Sequence, residues 1–168
     1  NSNPKIVRLL LSHGAKVDSI NRYRSTPLLG AASENKVDAV ELLLEAGANL
    51  NHLANDSMTP LIEAANNGHL YIVKLLINHG AEITSLALIL DSTADACQNG
   101  YFQTTEFFLE NKANFDIADK DGYTALYTAT ANGHLEVVRL LIDIGANITT
   151  SDKDGWLTIH FAYDGGSR

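Results

Sequence analysis

A sequence period of about 33 residues constrains this chain more than any other feature. The dipeptide Gly-Ala begins at residues 14, 47, 80 and 145, and Lys112-Ala113 takes the missing place. A second ladder in the same register places glycine or asparagine at residues 35, 68, 100, 133 and 166. Periods of this length are typical of repeat architectures, in which one repeat cannot bury its apolar face alone. The chain is therefore expected to fold by stacking each repeat on its neighbours.

Helix starts recur in that register as well. Thr26-Pro27 and Thr59-Pro60 join an N-cap side chain to a residue with a fixed φ and no N–H, and Thr124-Ala125 and Leu157-Thr158 follow at the same position. Apolar residues at helical spacing come next. The pattern predicts helix pairs near 26–45, 59–78, 91–111 and 124–143. Between the helices of each pair, Gly68, Gly100 and Gly133 are expected to turn the chain through a left-handed conformation, with Asn35 as the substitute.

The stretch from Asp121 to Leu141 resembles the ankyrin repeat, whose pattern runs D-x-x-G-x-T-P-L-H-x-A-A-x-x-G-H, then an apolar helix, then G-A. The resemblance covers essentially the whole chain. It implies an all-α fold, an ankyrin-repeat solenoid of stacked antiparallel helix pairs with protruding β-hairpin-like loops. We expect a single domain over residues 1–168, with complete repeats at 21–53, 54–85, 86–118 and 119–151 and partial repeats at 1–20 and 152–168.

The third repeat departs from the pattern, because an apolar stretch from Ser85 to Ser92 replaces the polar hairpin and the Thr-Pro start. Two interpretations stay open. The leucines there pack partly on neighbouring repeats after sequence drift, or they form an exposed apolar contact site.

Neither the histidines nor the single cysteine indicates a catalytic or metal-binding site. The resemblance gives His69, His134 and His160 structural positions, and Cys97 stands where a small buried hydrophobe is wanted. No His or Cys spacing fits a zinc site, and the glycines follow the repeat period and do not form a P-loop. We expect no enzymatic activity, no catalytic residue, no cofactor and no metal.

Composition limits the partners and the compartment. The formal net charge of -8 disfavours a nucleic-acid partner and tolerates a basic protein. The apolar stretches are far shorter than the roughly 20 residues that span a bilayer. A single cysteine excludes an internal disulfide framework, so an intracellular, reducing location in cytoplasm or nucleus is expected.

The resemblance implies that a partner lies across the hairpin tips and the exposed face of the first helices. The residue before the helix start is Ser25, Met58, Leu90, Tyr123 or Trp156, and four of these five are large and apolar. Acidic and aromatic residues accompany this stripe, namely Glu34, Glu63, Asp95, Asp121, Tyr127, Phe161 and Asp164. Arg22 and Tyr23 mark a basic opposite end, so a bound peptide would place its basic part toward the later repeats. Alternatively, the aromatic residues merely cover the neighbouring hairpin.

The sequence thus predicts a protein–protein interaction module, part of a scaffold, regulator or effector. One alternative is the substrate-recruiting arm of a ligase, kinase or methyltransferase whose catalytic domain lies outside these residues. Another is a structural or membrane-tethering array. The resemblance also suggests hydroxylation of Asn51, because asparagine at this hairpin position is a known target in the family and the other repeats carry Asp or Thr there.

Overall fold

The computed structural model describes residues 3–83, 99–119 and 121–162. The chain divides into two compact units, Asn1–Glu82 and Ile83–Arg168, here called the first and second units. The divergent segment from Ser85 to Ser92 and the candidate residues Leu90, Asp95 and Asp164 lie outside the described residues, as does Cys97.

The first unit is built from helices and short loops. Its helices are α1 (Pro4–Ser12), α2 (Pro27–Ser33), α3 (Val37–Glu45), α4 (Pro60–Asn66) and α5 (Leu70–Asn78), with a 3-10 turn at Asn55–Ser57. In each complete repeat a seven-residue inner helix, α2 or α4, is followed by a nine-residue outer helix, α3 or α5. The two inner helices pack against each other, and each packs on its own outer helix.

The second unit repeats this organisation. Its helices are α6 (Asn99–Glu110), α7 (Ala125–Ala131), α8 (Leu135–Asp143) and the short α9 (Thr158–Phe161). Inner helix α7 contacts both α8 and α9, and outer helix α6 contacts α8. Within the described ranges there is no strand, only an isolated bridge between Ser151 and Leu157. The all-α repeat architecture is therefore confirmed, as are the predicted helix pairs near 26–45, 59–78 and 124–143.

The expected local signals account for these boundaries. The side-chain hydroxyls of Thr26, Thr59 and Thr124 accept hydrogen bonds from the N–H groups three residues ahead at 3.3, 3.2 and 3.3 Å. Each helix thereby gains a partner for an N–H group that has none within the helix. At the turns into the outer helices, Asn35 and Gly133 have φ of 56° and 73°, as predicted.

The turn predicted at Gly100 is wrong. Within the described residues helix α6 covers Asn99–Glu110 and includes Gly100, so this glycine is helical. Glycine populates left-handed and right-handed conformations about equally readily, so its presence permits a turn without enforcing one.

Small residues bring the inner helices together, and branched residues of the outer helices complete the cores. Ala32, Ala64 and Ala65 are fully buried in the first unit, as are Val40 and Val73 of its outer helices; Ala129 and Leu141 are fully buried in the second. His69 adds a polar tie, since its Nε2 lies 3.0 Å from the Ser33 carbonyl oxygen of the preceding repeat. The structural role expected for His69 is confirmed. No described helix is both long enough and apolar enough to cross a membrane.

Candidate protein-binding surfaces

Four loops precede inner helices and share one backbone design. We call residues 21–25, 54–58, 119 with 121–123, and 152–156 the hairpin tips. In each tip the first N–H donates to the carbonyl of the fifth residue, which is Ser25, Met58, Tyr123 or Trp156, at 3.1, 2.9, 2.9 and 2.9 Å. The residues predicted to form a stripe therefore occupy structurally equivalent positions, and their main chains close the tips.

Side chains reinforce three of these tips. Oδ1 of Asn21, Asp119 or Asp152 accepts from two N–H groups of its own tip, at distances between 2.8 and 3.0 Å. This Asx-turn arrangement mimics a backbone turn. Ala54 has no such oxygen, and its tip contains the 3-10 turn instead.

Consecutive tips are tied to each other by main-chain hydrogen bonds. The Asn55 N–H donates to the Tyr23 carbonyl at 3.3 Å, and the Lys153 N–H donates to the Asp121 carbonyl at 3.3 Å. In the first unit the His52 Nε2 also donates to the Arg24 carbonyl at 2.7 Å, because a carbonyl can only accept. The tips within each unit therefore form a continuous and defined edge.

The second unit brings the predicted aromatic residues together. We define Tyr123, Tyr127, Trp156 and Phe161 as the aromatic cluster. Tyr123 stacks on Tyr127 with ring centroids 4.4 Å apart, and Phe161 lies 4.6 Å from Tyr127. Trp156 approaches Phe161 edge-on at 6.2 Å and His160 at 5.4 Å. Tyr123, Trp156 and Phe161 are half-buried, so each covers a neighbour and still presents part of its surface.

Tyr127 differs from the expectation that it lies on the exposed surface, because it is only 4% exposed. Its position corresponds to the buried Leu29 and Ile62 of the earlier repeats, which point into the stack. The Tyr127 hydroxyl donates to Asp152 Oδ2 at 3.1 Å. Burial, assisted by this hydrogen bond, raises the pKa of Tyr127 well above its ordinary range. The Tyr127 hydroxyl thus stays protonated, and its hydrogen bond to Asp152 links the aromatic cluster to the last tip.

Of the three candidate acidic residues that the structure describes, Asp121 and Glu63 have a side-chain partner. Asp121 lies 3.9 Å from the Lys153 ammonium group of the next tip, and both side chains are largely exposed. In the first unit Glu63 is half-buried and accepts from the Ser33 hydroxyl at 3.1 Å, whereas Glu34 is exposed after the last residue of α2. The expected acidic character of the second unit is therefore locally offset beside Asp121.

The first unit presents a different edge, which we call the tip ridge, formed by Ile20, Arg22, Tyr23, Arg24 and Leu53. The Arg22 guanidinium lies 4.6 Å above the Tyr23 ring. Ile20, Tyr23 and Leu53 are 56%, 55% and 55% exposed. Arg22 and Tyr23 were predicted from the sequence, whereas Ile20 and Leu53 were not. A signal existed, since these two apolar residues stand 33 positions apart, each directly before a tip.

Asn51 lies in a second hydrogen-bonded series between repeats. Its Oδ1 accepts from the Glu82 N–H at 3.0 Å, while Oδ1 of Asp18 and of Asp116 accept from residues 49 and 147 at 2.9 and 3.4 Å. Asn51 itself is exposed. The loop asparagine thus connects neighbouring repeats.

The remaining histidines fit structural roles. His160 Nδ1 accepts from the Leu157 N–H at 2.9 Å at the start of α9. His13 and His79 lie exposed at helix ends, where Nδ1 is 2.9 and 2.8 Å from the carbonyls of Leu9 and Leu75. In the part of the chain that the structure describes, no three His, Cys, Asp or Glu residues are placed to hold a metal ion.

Comparison with known families agrees with this architecture. The family model for ankyrin repeats (3 copies) matches residues 1–87 and 94–168. No curated protein sequence matches the chain significantly. Ankyrin repeats are generally protein–protein interaction modules, typically without catalytic activity of their own. The shared helix pairs, hairpin tips and sequence motifs identify this chain as a member of the ankyrin repeat family.

Proposed function

We propose that the second unit binds a basic, partly apolar segment of a partner protein through the aromatic cluster and the adjoining tips. The observation that carries this proposal is the cluster itself. The buried Tyr127 contacts Tyr123 and Phe161, Phe161 contacts Trp156, and all three partners remain partly exposed. Aromatic residues in preorganised positions dominate interface energetics, because little side-chain entropy is lost when a partner binds.

Charge favours a basic partner. From Ile83 onward the sequence holds five Lys and Arg against twelve Asp and Glu, whereas the sequence up to Glu82 holds seven against eight. An acidic unit attracts cationic side chains during diffusional encounter, and arginine or lysine gains a further cation–π contact on a tyrosine or tryptophan ring. Lys153 partly neutralises Asp121 and so weakens the negative electrostatic potential beside that tip. A cationic side chain of the partner is therefore expected to bind at the acidic residues away from this pair.

The test uses a short synthetic peptide that alternates arginine and leucine, with a glutamate–leucine peptide as its control. Trp156 is the single tryptophan of the chain, so its fluorescence emission reports binding at the cluster directly. We expect the basic peptide alone to change the emission. An equal change of the Trp156 emission with both peptides would contradict the proposal.

Two variants identify the surface, with binding measured by anisotropy of a label on the basic peptide. Trp156→Ala should weaken binding about tenfold or more, as for a typical hot-spot residue. The control is Leu135→Ala, because Leu135 is an exposed apolar residue on outer helix α8 of the same unit. Equal losses in the two variants would show that the effect is not local to the cluster.

Charge reversal tests the electrostatic part. Asp121→Lys should slow association and reduce its salt sensitivity, because exposed charges act by steering over a Debye length of about 8 Å at physiological salt. The double variant Asp121→Lys with Lys153→Asp keeps the net charge and the pair. It should restore the association rate if the field of the whole unit steers the peptide. An unchanged association rate in Asp121→Lys would show that Asp121 does not take part in peptide binding.

The wider role that we propose is that of an intracellular interaction module within a scaffold, regulator or effector. The alternative role, as the recruiting arm of an enzyme, predicts the same surfaces. The two are separated by whether a partner that binds the cluster is chemically modified when the complete protein is supplied with the cosubstrate of a ligase, kinase or methyltransferase.

We also propose Asn51 as a hydroxylation site, because it occupies the hairpin position at which asparagine is modified in this family and because it is exposed. Treatment with an asparaginyl hydroxylase should add one oxygen atom to the tryptic peptide that contains Asn51, and Asn51→Asp should abolish the product at that position. Modification of other asparagines with Asn51 left intact would contradict the assignment.

A further inference from the structure

The tip ridge of the first unit exposes three large apolar side chains in two consecutive loops. Ile20, Tyr23 and Leu53 each keep more than half of their surface accessible. Single exposed apolar residues are ordinary on protein surfaces, but a local group indicates a contact site. The main-chain bond from Asn55 to Tyr23 and the bond from His52 to Arg24 join these two loops, so the apolar residues belong to one edge.

The backbone of this edge is ordered before any partner arrives. The Asn21 side chain accepts from the Tyr23 N–H at 2.8 Å and from the Ser25 N–H at 3.0 Å. Arg22 places its guanidinium over the Tyr23 ring. A preorganised surface of this kind loses less conformational entropy on binding than a mobile loop.

The charges of the ridge differ from those of the whole chain. Residues 19–25 contain two arginines and no acidic residue, and residues 49–58 of the adjoining loop contain one acidic residue, Asp56. The nearest preceding acid, Asp18, already accepts from the Asn49 N–H at 2.9 Å. An acidic side chain of a partner would thus meet two exposed guanidinium groups, which form strong charge-assisted hydrogen bonds with carboxylates.

We infer that the tip ridge is a second docking surface, which binds an acidic segment carrying apolar side chains from a partner protein. Leucine or phenylalanine side chains would cover Ile20, Tyr23 and Leu53, while glutamate or aspartate would pair with Arg22 and Arg24. This inference rests on the proposed protein-binding role but names a different surface and the opposite partner charge. The two proposals therefore fail separately.

The probe is the glutamate–leucine peptide, labelled with fluorescein and followed by anisotropy at low and physiological salt. We expect it to bind the unmodified chain, and to bind more weakly as salt rises. Two control peptides separate the contributions, one with lysine in place of glutamate and one with serine in place of leucine. The serine peptide should bind at least tenfold more weakly, and any binding of the lysine peptide should be unchanged by Tyr23→Ala, since basic peptides are expected at the aromatic cluster of the second unit.

Matched variants of the same unit assign the site. Tyr23→Ala should weaken binding of the acidic peptide about tenfold, whereas Tyr71→Ala, which removes an equally exposed tyrosine from outer helix α5, should leave it unchanged. Arg22→Glu should weaken binding at least fivefold, and Lys5→Glu, with the same change in net charge on α1, should not. Thermal unfolding of all four variants checks that the fold is retained.

Several outcomes would overturn the inference. Equal effects of Tyr23→Ala and Tyr71→Ala on the acidic peptide, an equal loss of lysine-peptide and acidic-peptide binding in Tyr23→Ala, or no binding of the acidic peptide at millimolar concentration would each do so. Sedimentation of the peptide-free chain tests another occupant, since self-association abolished by Tyr23→Ala would assign the ridge to a second copy. Binding to anionic phospholipid vesicles or single-stranded DNA, abolished by Arg22→Glu without binding of the peptide, would assign it to a polyanion.

Discussion

At the residue scale, the most informative positions are those where a residue other than glycine has a positive φ. Arg24, Asn35, Ser57 and Lys112 have φ of 59°, 56°, 61° and 61°. Asparagine tolerates this region better than other side-chain-bearing residues, and lysine has no such advantage. Lys112 occupies the position that glycine takes after the other outer helices. The backbone therefore keeps a left-handed conformation there that lysine does not favour.

Lys112→Gly should therefore stabilise the second unit by about 1 kcal/mol, because glycine adopts the left-handed conformation without a Cβ clash. Urea unfolding followed by circular dichroism measures the change. Lys112→Ala is the control, since it removes the charge and keeps the clash, and it should give no stabilisation. A gain of equal size in Lys112→Ala would attribute the effect to charge instead.

His134 makes stability depend on pH. Its side chain is buried, and burial lowers the pKa of the imidazole below the ordinary value of 6.5. The folded chain therefore holds His134 neutral where the unfolded chain begins to bind a proton. Stability should be fully present above about pH 6.5 and should fall as the pH drops through this value toward the lower pKa of the folded state. Urea unfolding at about pH 7.5 and 5.5 should show a smaller decrease for His134→Gln than for the unmodified chain.

At the element scale, neighbouring tips pack main chain against main chain, and Gly122 shows how close this contact is. Gly122 has φ of 92°, and a Cβ built there would lie 3.1 Å from both Asp152 Cα and the Lys153 nitrogen. Gly155 takes the equivalent position in the last tip, with φ of 83° and no atom within 4 Å of such a Cβ. The two positions share a conformation and differ in packing.

Comparing Gly122→Ala with Gly155→Ala isolates the cost of that close approach. Both variants should lose about 1 kcal/mol from the positive φ, and Gly122→Ala should lose more, because the neighbouring main chain must move. The amide of Lys153, which donates to the Asp121 carbonyl, should also exchange faster in Gly122→Ala alone. Equal losses of stability in the two variants would show that the main chain of the last tip moves away from the new Cβ with no measurable loss of free energy.

At the scale of the whole molecule, the repeats of the first unit differ in how fully they are packed. None of the residues of α1 is buried, and Leu9 is 59% exposed, whereas its counterpart Leu42 in α3 is 8% exposed. In a linear array, stability comes from contacts between neighbouring repeats, so the least covered helix opens first.

Leu42→Ala should destabilise the first unit by about 2 to 4 kcal/mol, in the range of buried leucine truncations. Leu9→Ala should change its stability by less than about 0.5 kcal/mol, as exposed substitutions do. Hydrogen exchange should show lower protection along α1 than along α4 and α5. Equal protection would show that α1 is stabilised by contacts absent from the structure.

The parts of the fold that sequence predicts are those fixed by local chemistry. Thr26, Thr59 and Thr124 cap helices because the N-cap interaction involves only residues three apart, and Asn35 turns the chain by its own conformational preference. The helical Gly100 and the burial of Tyr127 depend on tertiary context, which a repeat pattern does not contain. Of the candidate sites, the equivalent positions of Tyr123 and Trp156 follow from the repeat register, whereas the Asp121–Lys153 pair depends on how two tips pack. The apolar part of the tip ridge was missed although its 33-residue spacing stands in the sequence.

The tips separate folding from recognition. Their closing hydrogen bonds join main-chain atoms of Asn21, Ala54, Asp119 and Asp152 to residues four positions ahead, and the bonds between tips use the carbonyls of Tyr23 and Asp121. The exposed side chains at positions 22, 23 and 121 can therefore change while these bonds persist. Such a surface can acquire new specificities by point substitution at little cost in stability, so the same frame is suited to a combinatorial library randomised at the tips.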